Sequence, residues 1–141
     1  MPGNYVVDAS VAAKLYYQEE QSDQAAATLR NADHLIAPEL LYLEMASIAA
    51  KRTRRGTSSP EQGALAVRSV ADILDELIPL AGLASRAYDL ASAHGFSAYD
   101  GAYLALAEAR GFKLLTADLK LARLAAQVGL GVHVETLAGG I

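Results

Sequence analysis

The chain has 141 residues, 52% of them hydrophobic, with a net charge of −4, 3 histidines and no cysteine. It is long enough for one domain, 1–141, with a real core, and too apolar to be a disordered chain. Without cysteine it has no disulfide, thiolate metal site or cysteine nucleophile, and its net acidity means that nucleic acid would need a local basic patch.

Asn4-Tyr5-Val6-Val7 is a short β-branched and aromatic run that ends at Asp8, and it predicts a strand. VAAKLYYQEE then reads as helix, capped by Asp8 or Ser10. A second helix covers SDQAAATLRNA with Ser22 or Asp23 as its cap. HLIA is a brief strand, and Pro38 suits the first position of the helix PELLYLEMASIAAKRT. Glu44 lies among the apolar residues Leu40, Leu41 and Ile48 of that helix, where a structural glutamate is uncommon. Lys51, Arg52, Arg54 and Arg55 close it, complementing the helix dipole or offering contacts to phosphate.

Ser59 and Pro60 are the cap and first residue of a helix that runs to about Glu76. LIPL is a short strand, and LASRAYDLASAHG a helix ending at Gly95. Ser97 caps AYDGAYLALAEAR, which stops at Gly111. Asp100 takes the capping-box position, yet it shares a face with Tyr103, Leu104 and Ala107. FKLLT is a strand that leads to Asp118, then LKLARLAAQVG a helix, VHVE a last strand and TLAGGI a frayed tail. Alternating short strands and helices predict a single α/β domain with three layers and a parallel sheet.

Asp8 and Asp118 thus fall at C-terminal strand ends, on the ligand side of an open α/β sheet, and Glu44 and Asp100 project from flanking helices. Asp8, Asp100 and Asp118 each read alone as caps, whereas Glu44 is out of place for a surface acid. Brought together, two charges ~4 Å apart repel by about 4 kcal/mol at an effective dielectric of ~20, so a cluster must hold protons or bind cations. An all-oxygen set favours Mg²⁺, with Mn²⁺ as a substitute, and such a site suits phosphodiester hydrolysis. His34, His94 and His133 have no ligand-type spacing, so zinc is not expected. Asp8-Ala9-Ser10 lacks the second acid of a DxD phosphatase, and neither a GxxxxGK[ST] loop nor a GxSxG elbow occurs.

The segments VVDASVAAKL, APELLYLEMASIAAK, FSAYDGAYLALAEARG and LLTADLKLA occur in the order and spacing of a known family. The chain resembles PIN-domain ribonucleases, in particular VapC-type toxins of toxin–antitoxin pairs. That resemblance implies a three-layer α/β/α PIN-like fold with a short, mostly parallel sheet. It implies an acidic Mg²⁺ site of Asp8, Glu44, Asp100 and Asp118, lined by Ser10 and Thr116. It further implies cleavage of RNA, often tRNA or rRNA, a VapB-like antitoxin as inhibitor, and a homodimer. Which carboxylate acts as general base stays open, as does the number of metal ions. The alternatives are a PIN-like module that binds RNA or protein without cutting, and a PIN nuclease of RNA processing with no antitoxin. No uncharged apolar run approaches the ~18 residues of a membrane span, and MPGNYVVDAS shows no basic signal-peptide start, so a cytoplasmic protein is expected.

Overall fold

The computed structural model describes residues 3–137. Its strands are β1 (Asn4–Val7), β2 (His34–Pro38), β3 (Glu76–Ile78), β4 (Lys113–Thr116) and β5 (Val134–Thr136). They form one sheet in the order β3-β2-β1-β4-β5, and every neighbouring pair is parallel. The helices between them are α1 (Ala9–Ala12), α2 (Ser22–Arg30), α3 (Leu40–Arg54), α4 (Pro60–Ser69), α5 (Ala84–His94), α6 (Ala98–Arg110) and α7 (Leu119–Gln127).

The strands are apolar on both sides, as a covered parallel sheet requires, and alternate residues enter different cores. Tyr5, Val7, Leu35, Ala37 and Leu115 pack with residues of α1 to α4. Val6, Ile36 and Leu114 pack on the opposite face with α5, α6 and α7. The expected α/β/α layering is therefore present. The chain adds β2 and β3 on one side of β1, then returns past β1 to add β4 and β5 on the other. The order reverses between β1 and β4, and the crevice beyond their C-terminal ends is the natural ligand site of such a sheet.

Several elements differ from their sequence patterns, each for a tertiary reason. The helix expected over VAAKLYYQEE is one turn of α1 followed by a 3₁₀ turn, Ala13–Leu15. Beyond it Tyr17 is buried, and Lys14 Nζ donates to Glu19 Oε1 at 3.2 Å and to the Glu20 carbonyl at 2.6 Å, which holds the chain in a turn. Ser22 does not cap α2. Its hydroxyl donates to the Tyr17 carbonyl and accepts from the Glu19 amide, while Gln21, at φ 66°, starts the helix. Pro38 ends β2 instead of opening α3, and the Glu39 amide donates to the Ile78 carbonyl at 2.8 Å. The helix expected to reach Glu76 stops at Ser69, with a 3₁₀ turn Val70–Ile73 after it. Asp75 is drawn to β2, because its carboxylate accepts from the Leu35 amide at 2.8 Å. β3 accordingly begins before LIPL, and Leu80 falls in a 3₁₀ turn, Leu80–Gly82. In the expected strand VHVE, Val132 and His133 form a 3₁₀ turn and β5 follows. Of the expected frayed tail, Thr136 belongs to β5 and Leu137 is buried; residues 138–141 lie outside the described residues.

Candidate active site

The reversal point of the sheet carries the acids. Asp8 directly follows β1 and is 8% exposed. Its Oδ1 accepts from the Val11 amide at 3.1 Å, capping α1, and from Ser10 Oγ at 2.6 Å. Ser10 Oγ in turn accepts from the Ala117 amide at 3.0 Å and stands 3.5 Å from Thr116 Oγ1. Thr116 Oγ1 accepts from the Asp118 amide at 3.0 Å. These small hydroxyls join the end of β1 to the end of β4 and so fix Asp8 relative to Asp118. Asp118 caps α7 with Oδ1 alone, accepting from the Lys120 and Leu121 amides at 3.0 and 3.1 Å.

Glu44 comes from α3 and is half-buried at the border of its apolar stripe; Leu41 and Met45 hold the centre. Asp100 comes from the first turn of α6, where the Ser97 hydroxyl accepts from its amide at 3.0 Å. Both acids therefore sit less deeply than their helical spacing suggests. They must, because a carboxylate in the middle of a packed face has no water to solvate it.

All four carboxylates line one cleft of about 300 Å³, together with Ser10, Ser47, Ile48, Lys51 and Tyr103. Thr116 is fully buried and stands one step behind it. The electrostatics follow from crowding and burial. The Asp8 carboxyl is pushed up to about 6 by burial, against hydrogen bonds from Ser10, Thr116 and Val11 that favour its charge, and Glu44 adds repulsion. Burial also raises Glu44, eased by the Tyr103 hydroxyl and worsened by Asp100. Asp100 is raised by burial, with Ser97 lowering it and Asp118 raising it.

The acids share the cleft without being drawn to one point. Among the described residues, no three His, Asp or Glu side chains already have the geometry of a metal cage. Separation is what unneutralised carboxylates prefer. The donor set nevertheless fits a hard divalent cation, since it is all carboxylate and hydroxyl oxygen with no imidazole.

The four basic residues expected to meet RNA have different surroundings. Lys51 lines the acidic cleft. Arg52 is paired with Glu19 and lies over the Tyr17 ring at 4.5 Å. Arg54 lines a groove between α3 and α4, and Arg55 is the exposed cap residue of α3. Lys51, Arg54 and Arg55 are spaced for one side of the helix while Arg52 turns away to Glu19, and of the four only Lys51 reaches the acidic cleft. The residue that the sequence did not single out is Tyr103. It is 2% exposed, and its buried hydroxyl makes no well-aligned hydrogen bond among the described residues. Its place three residues after Asp100 was the available signal.

The PIN domain model matches residues 5–127. This chain belongs to the PIN domain family. Its relatives include ribonuclease VapC3 of Pyrobaculum aerophilum, 38% identical over 83% of this chain and 91% of that protein. Ribonuclease VapC9 of Mycobacterium tuberculosis is 34% identical over 82% of this chain and 87% of its own length. Among solved structures, VapC20 of Mycobacterium tuberculosis, a sarcin-ricin loop cleaving toxin, superposes with a TM-score of 0.67 at 15% identity, covering 85% of this chain and 94% of that one. VapBC2 of Rickettsia felis, bound to a DNA fragment from its promoter, gives a TM-score of 0.66 at 11% identity, with 94% and 97% covered. At these identities the two structures speak for the PIN fold, and the ribonuclease relatives place the chain with the VapC proteins.

Proposed function

We propose that this protein is a divalent-metal-dependent endoribonuclease, the toxin of a toxin–antitoxin pair, with Mg²⁺ as its ion and Mn²⁺ as a substitute. The observation that carries this reading is the gathering of Asp8, Glu44, Asp100 and Asp118 in one cleft at the reversal point of the sheet. The ribonuclease relatives support RNA as the substrate, with tRNA and rRNA the first candidates.

In this reading the four carboxylates hold the cation. When bound, it activates water for attack and neutralises charge on the phosphoryl oxygen. The chain's own residues do the rest. Ser10 keeps Asp8 oriented through its 2.6 Å hydrogen bond. Thr116, through the Asp118 amide, holds the fourth acid in place from behind. Lys51, at the cleft wall, offers the approaching phosphate its nearest positive charge on the α3 side. Burial favours the neutral forms of Asp8, Glu44 and Asp100, so cation binding releases protons and strengthens as pH rises.

A VapB-like antitoxin and a homodimer complete the proposal. A shallow apolar groove between α3 and α4, lined by Ala46, Ala49, Ala50, Gly63, Ala64 and Val67, suits the apolar face of an antitoxin helix.

The decisive experiment incubates purified, antitoxin-free protein with total cellular RNA in Mg²⁺, in Mn²⁺ and in EDTA, with Asp8→Asn in parallel. Discrete fragments that require both the metal and Asp8 are expected. RNA left whole by folded protein shown to bind Mn²⁺ would overturn the nuclease reading in favour of a binding module.

A further inference from the structure

A second cleft opens beside the acidic one, and its remaining walls have no part in the site described so far. It encloses about 430 Å³ and shares two walls with its neighbour, Asp100 and Asp118. Phe96 and Leu121, each 5% exposed, form its apolar floor and Leu124 an apolar wall, and Lys120, Arg123 and Gln127 supply the polar remainder. The polar three lie on one face of α7, at spacings of three and four residues. Lys120 and Arg123 are exposed, and among the described residues neither takes part in an ion pair.

Such a pair of cations on a convex helix would be ordinary solvated surface. Here both line a concavity that is continuous with four carboxylates in a protein of net charge −4. An anion approaching that cleft meets repulsion, and these two residues offset it from the adjoining wall. The volume falls within the roughly 300–1,000 Å³ of small-ligand sites. Positive charge beside an apolar surface matches a nucleotide, whose phosphate and base differ in the same way.

We propose that this cleft is a nucleotide subsite of the RNA track. Lys120 and Arg123 contact a phosphate next to the one that is cut, and Phe96, Leu121 and Leu124 receive the attached sugar and base, with Gln127 at the rim. The track then crosses the acids from Lys51 on α3 to Lys120 and Arg123 on α7. This inference rests on the ribonuclease reading and adds the direction in which the substrate lies.

The test uses full-length protein and a fluorescein-labelled single-stranded RNA that spans a cut mapped with the wild type. The double variant Lys120→Ala/Arg123→Ala is compared with Arg30→Ala/Arg68→Ala, which removes the same charge from residues lining neither cleft. The α7 variant should raise KM roughly tenfold or more, as loss of charge-assisted contacts does, and leave kcat within about threefold. In the Asp8→Asn background, its binding should lose about 1.4 from the slope of log K against log salt, the effect of two phosphate contacts on a single strand. Lys120→Arg/Arg123→Lys, which keeps both charges, should restore the slope. An unchanged KM and slope in the α7 variant, or an equal change in the Arg30/Arg68 control, would overturn the subsite while leaving the nuclease intact. Failure of the wild type to cut any RNA would remove both.

Discussion

Tyr103 shows how one atom records what the cleft is built for. Its hydroxyl is buried and makes no well-aligned hydrogen bond among the described residues, although it lies near enough to the Glu44 carboxyl to favour its ionisation. Its own ionisation is pushed far upward, by burial first and then by Glu44, Asp8 and Asp100, so it stays a neutral donor. An unsatisfied buried hydroxyl costs about 1–3 kcal/mol, and a structure that was only a scaffold would do better with phenylalanine. Tyr103→Phe should therefore make metal-free protein more stable by about 1 kcal/mol in urea unfolding with EDTA. A loss of that size would mean that the hydroxyl is already bonded in the metal-free protein. The sequence held half of this. The spacing from Asp100 put Tyr103 on the same helix face, but only the fold shows that it meets no well-aligned partner among the described residues. The acids were legible because each broke a pattern, at a strand end or on an apolar stripe. Lys120 and Arg123 broke none, since cations on an amphipathic helix are ordinary, and their setting depends on the segment around Phe96 lying against α7.

At the scale of elements, α6 carries the most. Residues Gly101 to Ala107 are all buried, and the helix presents Asp100 and Tyr103 to the cleft while it packs on α5. Gly101 sets the closeness of that packing. A Cβ there would lie 2.8 Å from the Ala87 carbonyl oxygen and 3.1 Å from its Cα. Glycine inside a helix usually gives up about 1 kcal/mol relative to alanine, so Gly→Ala is normally stabilising. Here the sign reverses, because the obstacle is backbone that cannot turn aside. Gly101→Ala should destabilise the protein by roughly 1–3 kcal/mol, the usual cost of overpacking. It should also lower cleavage, since the displaced turn carries Asp100. Thermal unfolding beside cleavage rates would decide it; a stabilised, fully active variant would show that α5 and α6 separate at little cost. Periodicity and caps made α6 plain in the sequence. They failed for the length of α1 and for the cap of α2, where Tyr17, Lys14 and Ser22 bond across a turn, because such contacts override local propensity without altering the hydrophobic pattern.

For the whole molecule, alternation of strands and helices pointed to a layered α/β domain, whereas the order β3-β2-β1-β4-β5 has no local signature. That order brings residue 8 beside residue 118, and its consequence is a stability that depends on pH. Asp8, with a carboxyl pushed up to about 6, titrates near 3.9 in an unfolded chain. Between those values the folded state holds more protons, so stability falls as pH rises. Asp8 contributes fully below about pH 4, and by pH 7 roughly 3 kcal/mol of that is gone. Glu44 and Asp100 shift in the same direction. Glu76 and Glu108 shift the other way through their arginine partners, but at the exposed surface, where such pairs contribute little. Metal-free protein should thus be less stable at pH 7.5 than at pH 5, and Asp8→Asn should flatten the slope and gain stability at the higher pH. A cation that requires ionised acids must do the opposite. The rise in melting temperature on adding Mg²⁺ or Mn²⁺ should grow from pH 5 to pH 7.5 and should shrink sharply in Asp8→Asn. Denaturant and thermal unfolding across that range, in EDTA and in each metal, measure both slopes. Wild-type and Asp8→Asn proteins with the same pH dependence in EDTA would mean that Asp8 is ionised at little cost in the fold, and that the crowding of the four acids does not shape this protein's stability.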